Sequence, residues 1–189
     1  MTSLPAPLAA PPELVVHSRH DGEGSFAALV ARFQPCVFRW AIALSDDEDE
    51  AEDIVQEVFV SVHRTLSGYR GDGPFEGWLY RITRRTALRA RQRNIRRVTH
   101  DAESVYVTDP GARVDRQRAV ALVRTIAATL PWRQREVFML CDLEGRSPAE
   151  AAGMLAMKDV SVRASLFKAR VAIRRSILAT HPFYRESSG

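Results

Sequence analysis

Apolar residues in this chain recur every three to four positions and nowhere alternate. A period near 3.6 lays one face of a helix on a core, whereas a strand needs a period of two. The pattern therefore excludes a sheet and leaves a packing of helices. The first run is Phe26, Leu29, Val30, Phe33, Val37, Trp40 and Leu44, with Pro35 expected to kink or split the helix. The second is a wide stripe of Ala51, Ile54, Val55, Val58, Phe59, Val62 and Leu66. "SGYRGDGP", Ser67 to Pro74, is a turn by its glycines and proline. Phe75, Trp78, Leu79 and Ile82 then open a third helix that continues into "RRTALRARQRNIRR".

The stripe stops at Val98. From there to Asp115 no helical period is present, and a linker of about twenty residues suits a domain connector better than an internal loop. Ala119, Leu122, Val123, Ile126 and Leu130 restart the pattern. Pro131 stands at the next helix start, and Val137, Leu140 and Cys141 lie within that helix. "EGRS" is a turn. "SPAE", Ser147 to Glu150, supplies a Ser N-cap, Pro at the first position and Glu three after the cap. That helix is expected to end near Ala156, and a final one to run from about Val160 to Leu178. The fold class is all-α: two small helical domains joined by a flexible linker. The expected division is a Pro/Ala-rich flexible tail over 1–24, a domain over 25–97, the linker over 98–117, a second domain over 118–178 and a C-terminal tail over 179–189.

No apolar run is evident of the ~20 residues that a membrane span needs. The start "MTSLPAPLAAPPELVV" lacks a basic segment and does not read as a signal peptide. Cys36 and Cys141 are too few for a disulfide framework and read as two buried thiols in a reducing compartment. The expectation is a cytoplasmic protein with no membrane insertion.

Charge is distributed in blocks. The formal net charge is only +4, yet seven of the eight residues from Asp46 to Asp53 are acidic and eight arginines lie between Arg81 and Arg97. Arginines neutralise phosphates, and nearby aromatic rings stack on unpaired bases. Phe75 and Trp78 share the apolar stripe and are expected in the core. Tyr69 and Tyr80 fall off it and are expected to be freer to meet a ligand. In the last helix Val162, Leu166, Ala169, Ile173 and Ile177 form an inner stripe. Ser161, Arg163, Ala164, Ser165, Phe167 and Lys168 are left facing outward, with Arg170, Arg174 and Arg175 beyond them. Two short helices with a tight turn describe a helix-turn-helix, whose second helix enters a major groove. The same pattern also fits a basic solvated face on a plain helical hairpin.

Enzyme chemistry finds no support. His17, His20, His63, His100 and His181 are scattered, no Gly-rich phosphate loop is present, and no nucleophile has an evident base. The acidic residues are consecutive on a helix rather than spaced on a loop, so a hard-cation site is not expected. No metal, cofactor or catalytic residue is assigned.

"DEAEDIVQEVF", "FEGWLYRITRR", "LPWRQREVFMLCDLEGRSPAEAA" and "SVRASLFKAR" occur in that order. Together they resemble the extracytoplasmic-function (ECF) sigma factors of the sigma-70 family over roughly residues 25 to 178. The resemblance implies a sigma-2 domain, a helix-turn-helix sigma-4 domain and no catalytic activity. It implies that Asp53, Gln56 and Glu57 dock on the clamp helices of the largest subunit of core RNA polymerase, while the flap of the second-largest subunit is a further partner. Tyr69, Arg70, Tyr80, Arg81, Arg84 and Arg85 would meet the −10 element as a single strand. Ser161, Arg163, Ala164, Ser165, Phe167, Lys168 and Arg170 would meet the −35 duplex. An anti-sigma factor is an expected partner, and the setting is a bacterial cytoplasm. The chain departs from the family pattern at Arg85, where Asn is frequent, and at Ser165, where a basic residue is common. It also has "AMKDVS" where the turn usually reads Gly-Ile-Ser-Glu-Gly-Thr. Lys158 replaces the usual Ser cap there, so capping is expected to shift to Asp159. Two other readings are a standalone helix-turn-helix regulator with an N-terminal interaction domain and a Mg-dependent nucleic-acid enzyme.

Overall fold

The computed structural model describes residues 15, 22–45, 47–98, 123 and 125–180, and every regular element among them is helical. In chain order these are α1 (Gly22–Leu44), α2 (Glu48–Thr65), a 3₁₀ turn (Leu66–Gly68), α3 (Phe75–Val98), α4 (Trp132–Phe138), a π-helical turn (Met139–Leu143), α5 (Pro148–Leu155) and α6 (Asp159–Thr180). They fall into two compact units, the first built mainly on α1 to α3 and the second mainly on α4 and α6.

In the first unit α1 packs on α2. Leu29, Phe33, Val37, Trp40 and Leu44 are buried on α1, and all seven residues of the expected α2 stripe are buried. Fully burying such a side chain contributes about 1.5–3 kcal/mol. A charge at a helix end contributes about 0.3–1 kcal/mol, so the apolar faces set the packing. The helix is not split at Pro35; α1 runs through it as one helix. Pro35 is exposed, so the carbonyl that lacks its helical donor one turn earlier lies on the solvent side, where the loss is tolerated. Contrary to the sequence reading, Gly24–Leu44, with mean hydropathy 1.3, is long and apolar enough to cross a membrane by length and composition. Here its apolar face is the core of the unit.

The acid block begins α2. Asp47 is its N-cap, in extended backbone, and its Oδ1 accepts from the Glu50 amide at 2.7 Å. Glu48, Asp49 and Glu50 occupy the first turn, where negative charge complements the helix dipole. Asp46 lies outside the described residues.

In the second unit Ile126, Ala127, Leu130, Phe138, Ala169 and Ile173 form the core, with Val123 and Ile177 partly buried against it. Ala119 and Leu122 lie outside the described residues. Ser147 and Glu150 form the expected capping box: the Glu150 amide donates to Ser147 Oγ at 3.2 Å, and the Ser147 amide donates to Glu150 Oε2 at 2.9 Å. α5 ends at Leu155, and Ala156, which follows it, has a left-handed φ of 52°. The Met157 amide closes the turn on the Ala152 carbonyl at 2.9 Å. Capping of α6 does not shift. The amides of Ser161 and Val162 donate to the Lys158 carbonyl, which puts Asp159 inside the first helical turn.

Candidate functional site

Three surfaces gather the candidate residues. On α2, Asp53 and Gln56 are exposed and Glu57 is half-exposed, side by side and off the buried stripe. This acidic face is not separate from the arginines of α3. Arg93 donates from Nη2 to Glu57 Oε2 at 3.0 Å and from Nη1 to Oε1 at 3.4 Å. Asn94 donates to Glu50 Oε1 at 2.8 Å. The hydrogen bond from Arg93 to Glu57, helped by the charges of Glu50 and Asp53, raises the guanidinium pKa further above its usual value. Arg93 belongs to the α2–α3 seam and is not simply a phosphate ligand.

The second surface is the turn into α3. Gly71 has φ of +81°, the left-handed region that glycine enters without strain. The Tyr69 hydroxyl donates to the Gly73 carbonyl across this turn. The Tyr69 ring is half-buried and lies 5.4 Å from Phe75 and 5.2 Å from Trp78, centroid to centroid. Phe75 is buried and Trp78 is only half-buried. Arg70, Arg81 and Arg85 are exposed and Arg84 is half-buried. Tyr80 corrects the sequence reading: it is completely buried, its ring edge-on to Trp40 at 5.2 Å. It holds α3 on α1 and is not available to a ligand. The wide buried face of α3, which also takes in Ala87 and Ala90, is the reason.

The third surface is α6. Val162, Leu166, Ala169 and Ile173 are buried, as the stripe predicts. Ser161, Arg163, Ala164, Lys168 and Arg170 are exposed, Ser165 is half-buried, and Phe167 is 69% exposed. Two of the cations are engaged by carboxylates of their own unit. Arg163 Nε lies 2.6 Å from Asp159 Oδ2. Arg170 pairs doubly with Asp142, Nε to Oδ2 at 2.9 Å and Nη2 to Oδ1 at 2.5 Å. Asp142 lies in the π-helical turn. One extra residue in a turn rotates the downstream side chains by about 100° relative to a regular helix.

A cleft of about 310 Å³ lies here, lined among others by Cys141, Arg146, Arg163, Phe167 and Arg170. Cys141 is half-buried, where the sequence reading expects a buried thiol, while Cys36 is fully buried. Burial, then the charge of Asp142, pushes the Cys141 thiol up to about 11, so it stays protonated at neutral pH. Among the described residues no group of three His, Cys, Asp or Glu side chains is placed to hold a metal ion.

The sequence reading did not single out Asp142, Arg146 or Asp159 as site residues. The i,i+4 spacing of Asp159 and Arg163 was a legible signal of their pair. Nothing local signals Asp142, whose partner is 28 residues away.

Residues 29–97 match the family model for sigma-70 region 2, and residues 121–173 match the model for sigma-70 region 4. The chain is 34% identical over 163 residues to the ECF RNA polymerase sigma factor SigE of Mycolicibacterium smegmatis, a match covering 83% of this chain and 63% of that protein. It thus spans under two thirds of that relative's length. It is 30% identical over 152 residues to the ECF RNA polymerase sigma factor SigM of Mycobacterium tuberculosis, covering 80% of this chain and 76% of that one. Its fold is similar to that of the sigma factor RpoE of Bartonella quintana, solved in complex with the anti-sigma factor NepR. There the TM-score is 0.67 at 22% identity, covering 81% of this chain and 96% of that chain.

Proposed function

The chain belongs to the ECF group of the sigma-70 family, and on that premise we propose that it binds core RNA polymerase, directs it to promoters and melts the −10 element. In this reading residues 25–97 act as sigma-2, residues 98–117 as the linker and residues 118–178 as sigma-4. It is a specificity subunit with no catalytic chemistry of its own, working in the cytoplasm under the control of an anti-sigma factor.

The observation that carries this reading is the α6 surface. A continuous buried stripe leaves Ser161, Arg163, Ala164, Phe167 and Lys168 outward at the N-terminal end of the helix, preceded by the capped helix α5. Small and cationic residues there suit close approach to base edges and phosphate. Asp53, Gln56 and Glu57 form the docking face for the clamp helices. Tyr69 with Trp78, bordered by Arg70, Arg81, Arg84 and Arg85, forms the surface for a single strand, where rings stack on bases and arginines neutralise phosphate.

Purified protein should give specific promoter complexes and transcripts only together with core polymerase. Tight, specific binding of duplex DNA by the protein alone would favour a standalone helix-turn-helix regulator instead, because such a regulator needs no polymerase.

A further inference from the structure

Arg163 and Arg170 both face outward from α6 and both are held at the Nε side of the guanidinium, Arg170 by two hydrogen bonds and Arg163 by one. Arg170 meets Asp142 through Nε and Nη2 together, which occupies the side edge of its guanidinium. Arg163 is held through Nε alone, by Asp159 Oδ2 at 2.6 Å, one helical turn toward the N-terminus. A guanidinium carries five N–H donors in one plane. With Nε engaged, the end-on Nη1/Nη2 edge keeps a pair of parallel donors, which is the pair that matches O6 and N7 of guanine. The Arg163 side chain is 63% exposed. Asp159 is more constrained, since its second oxygen, Oδ1, is enclosed by protein atoms.

We infer that Asp159 is a positioning residue for base reading, holding Arg163 through Nε so that the Nη edge meets one guanine of the −35 duplex. This rests on α6 being the −35 reader. A carboxylate at a DNA-facing helix end is repelled by phosphates, so it lowers general affinity. Its effect on selectivity runs the other way. Without it Arg163 is a flexible cation that settles on any phosphate or acceptor; with it, one planar orientation is favoured. The pair is exposed and contributes little in the free protein. Against DNA water is excluded and the same contact strengthens. Val160, 76% exposed beside Asp159, and Phe167, one turn beyond Arg163, supply apolar surface to exclude it.

The test is selection by reconstituted holoenzyme from a promoter library randomised across the −35 element, with wild type, Asp159→Asn, Arg163→Ala and the double variant. Wild type should prefer guanine at one position. Arg163→Ala should reduce that preference by about tenfold or more, the value of a bidentate base contact. Asp159→Asn should lower it at the same position by a smaller factor, without lowering total promoter binding, and the double variant should match Arg163→Ala. An Asp159→Asn profile superimposable on wild type overturns the inference. So does loss of a preference at a different position, which would make Asp159 a base reader itself. A wild-type holoenzyme indifferent to the −35 sequence would instead overturn the reading of α6 on which the inference rests.

Discussion

Glu57 of α2 and Arg93 of α3, 36 residues apart in the chain, share a forked ion pair at 3.0 and 3.4 Å. The pair joins the acidic helix to the arginine-rich one. Both side chains are substantially exposed, at 42% and 55%, so it contributes no more than about 1 kcal/mol to stability. Its interest lies in the competition it sets up, since Glu57 is also a proposed polymerase contact.

Glu57→Lys should weaken core polymerase binding while helicity by circular dichroism is unchanged. The swapped pair Glu57→Arg with Arg93→Glu should restore the ion pair but not assembly, if polymerase reads the carboxylate itself. Assembly assays on wild type and these two variants distinguish the roles. Normal holoenzyme formation by Glu57→Lys would remove Glu57 from the docking face.

Arg163 and Arg170 should separate in promoter selection. Arg163→Ala should change base preference at one −35 position, by about 1–3 kcal/mol of discrimination. Arg170→Ala releases Asp142 and should lower the stability of the second unit by up to about 1 kcal/mol. It should leave the base profile as in wild type. A changed profile with Arg170→Ala would mean that the guanidinium leaves Asp142 for DNA.

Ala156 should be a site of easy stabilisation. A left-handed backbone costs a non-glycine residue roughly 1–2 kcal/mol, and its φ is 52°. Glycine removes that cost but adds about 0.5–1 kcal/mol of chain entropy. The net gain for Ala156→Gly is therefore about 0.5–1 kcal/mol, read as a rise of a few degrees in Tm. An unchanged or lower Tm would show that the Ala156 methyl group contributes packing that outweighs the strain.

The capping box gives a pH signature. The hydrogen bonds from Ser147 hold the Glu150 carboxyl below its usual value. A depressed carboxylate contributes stability that is fully present above its unfolded value. That contribution is lost as pH falls through the folded one. Thermal unfolding of wild type and Glu150→Gln should therefore differ most near neutral pH and converge below about pH 4. Ser147→Ala should cost about 1 kcal/mol. A wild-type advantage that persists undiminished at about pH 3 would contradict the assigned role of the Glu150 carboxylate.

The helices, their inner faces and the SPAE start were legible because each depends on residues within one or two turns. The α2 stripe is the plainest instance: all seven residues named from period alone are buried. The expected split at Pro35 and the expected exposure of Tyr80 fail for related reasons. Whether a helix tolerates proline depends on which side meets solvent. Tyr80, off the narrow stripe of Phe75, Trp78, Leu79 and Ile82, is buried because Trp40 of α1 covers it. A helix flanked by neighbours has a wider buried face than its strongest stripe indicates.

By itself the sequence determined the all-α class, the break between two helical halves, and an outward α6 face of small and cationic residues, because period and turn chemistry act locally. Only the tertiary structure decided which charges meet. Glu57 finds Arg93 and Asp142 finds Arg170 across 36 and 28 residues. A charge carries no periodic signature of its partner, and the side that Asp142 faces depends on one widened turn that no local pattern announces.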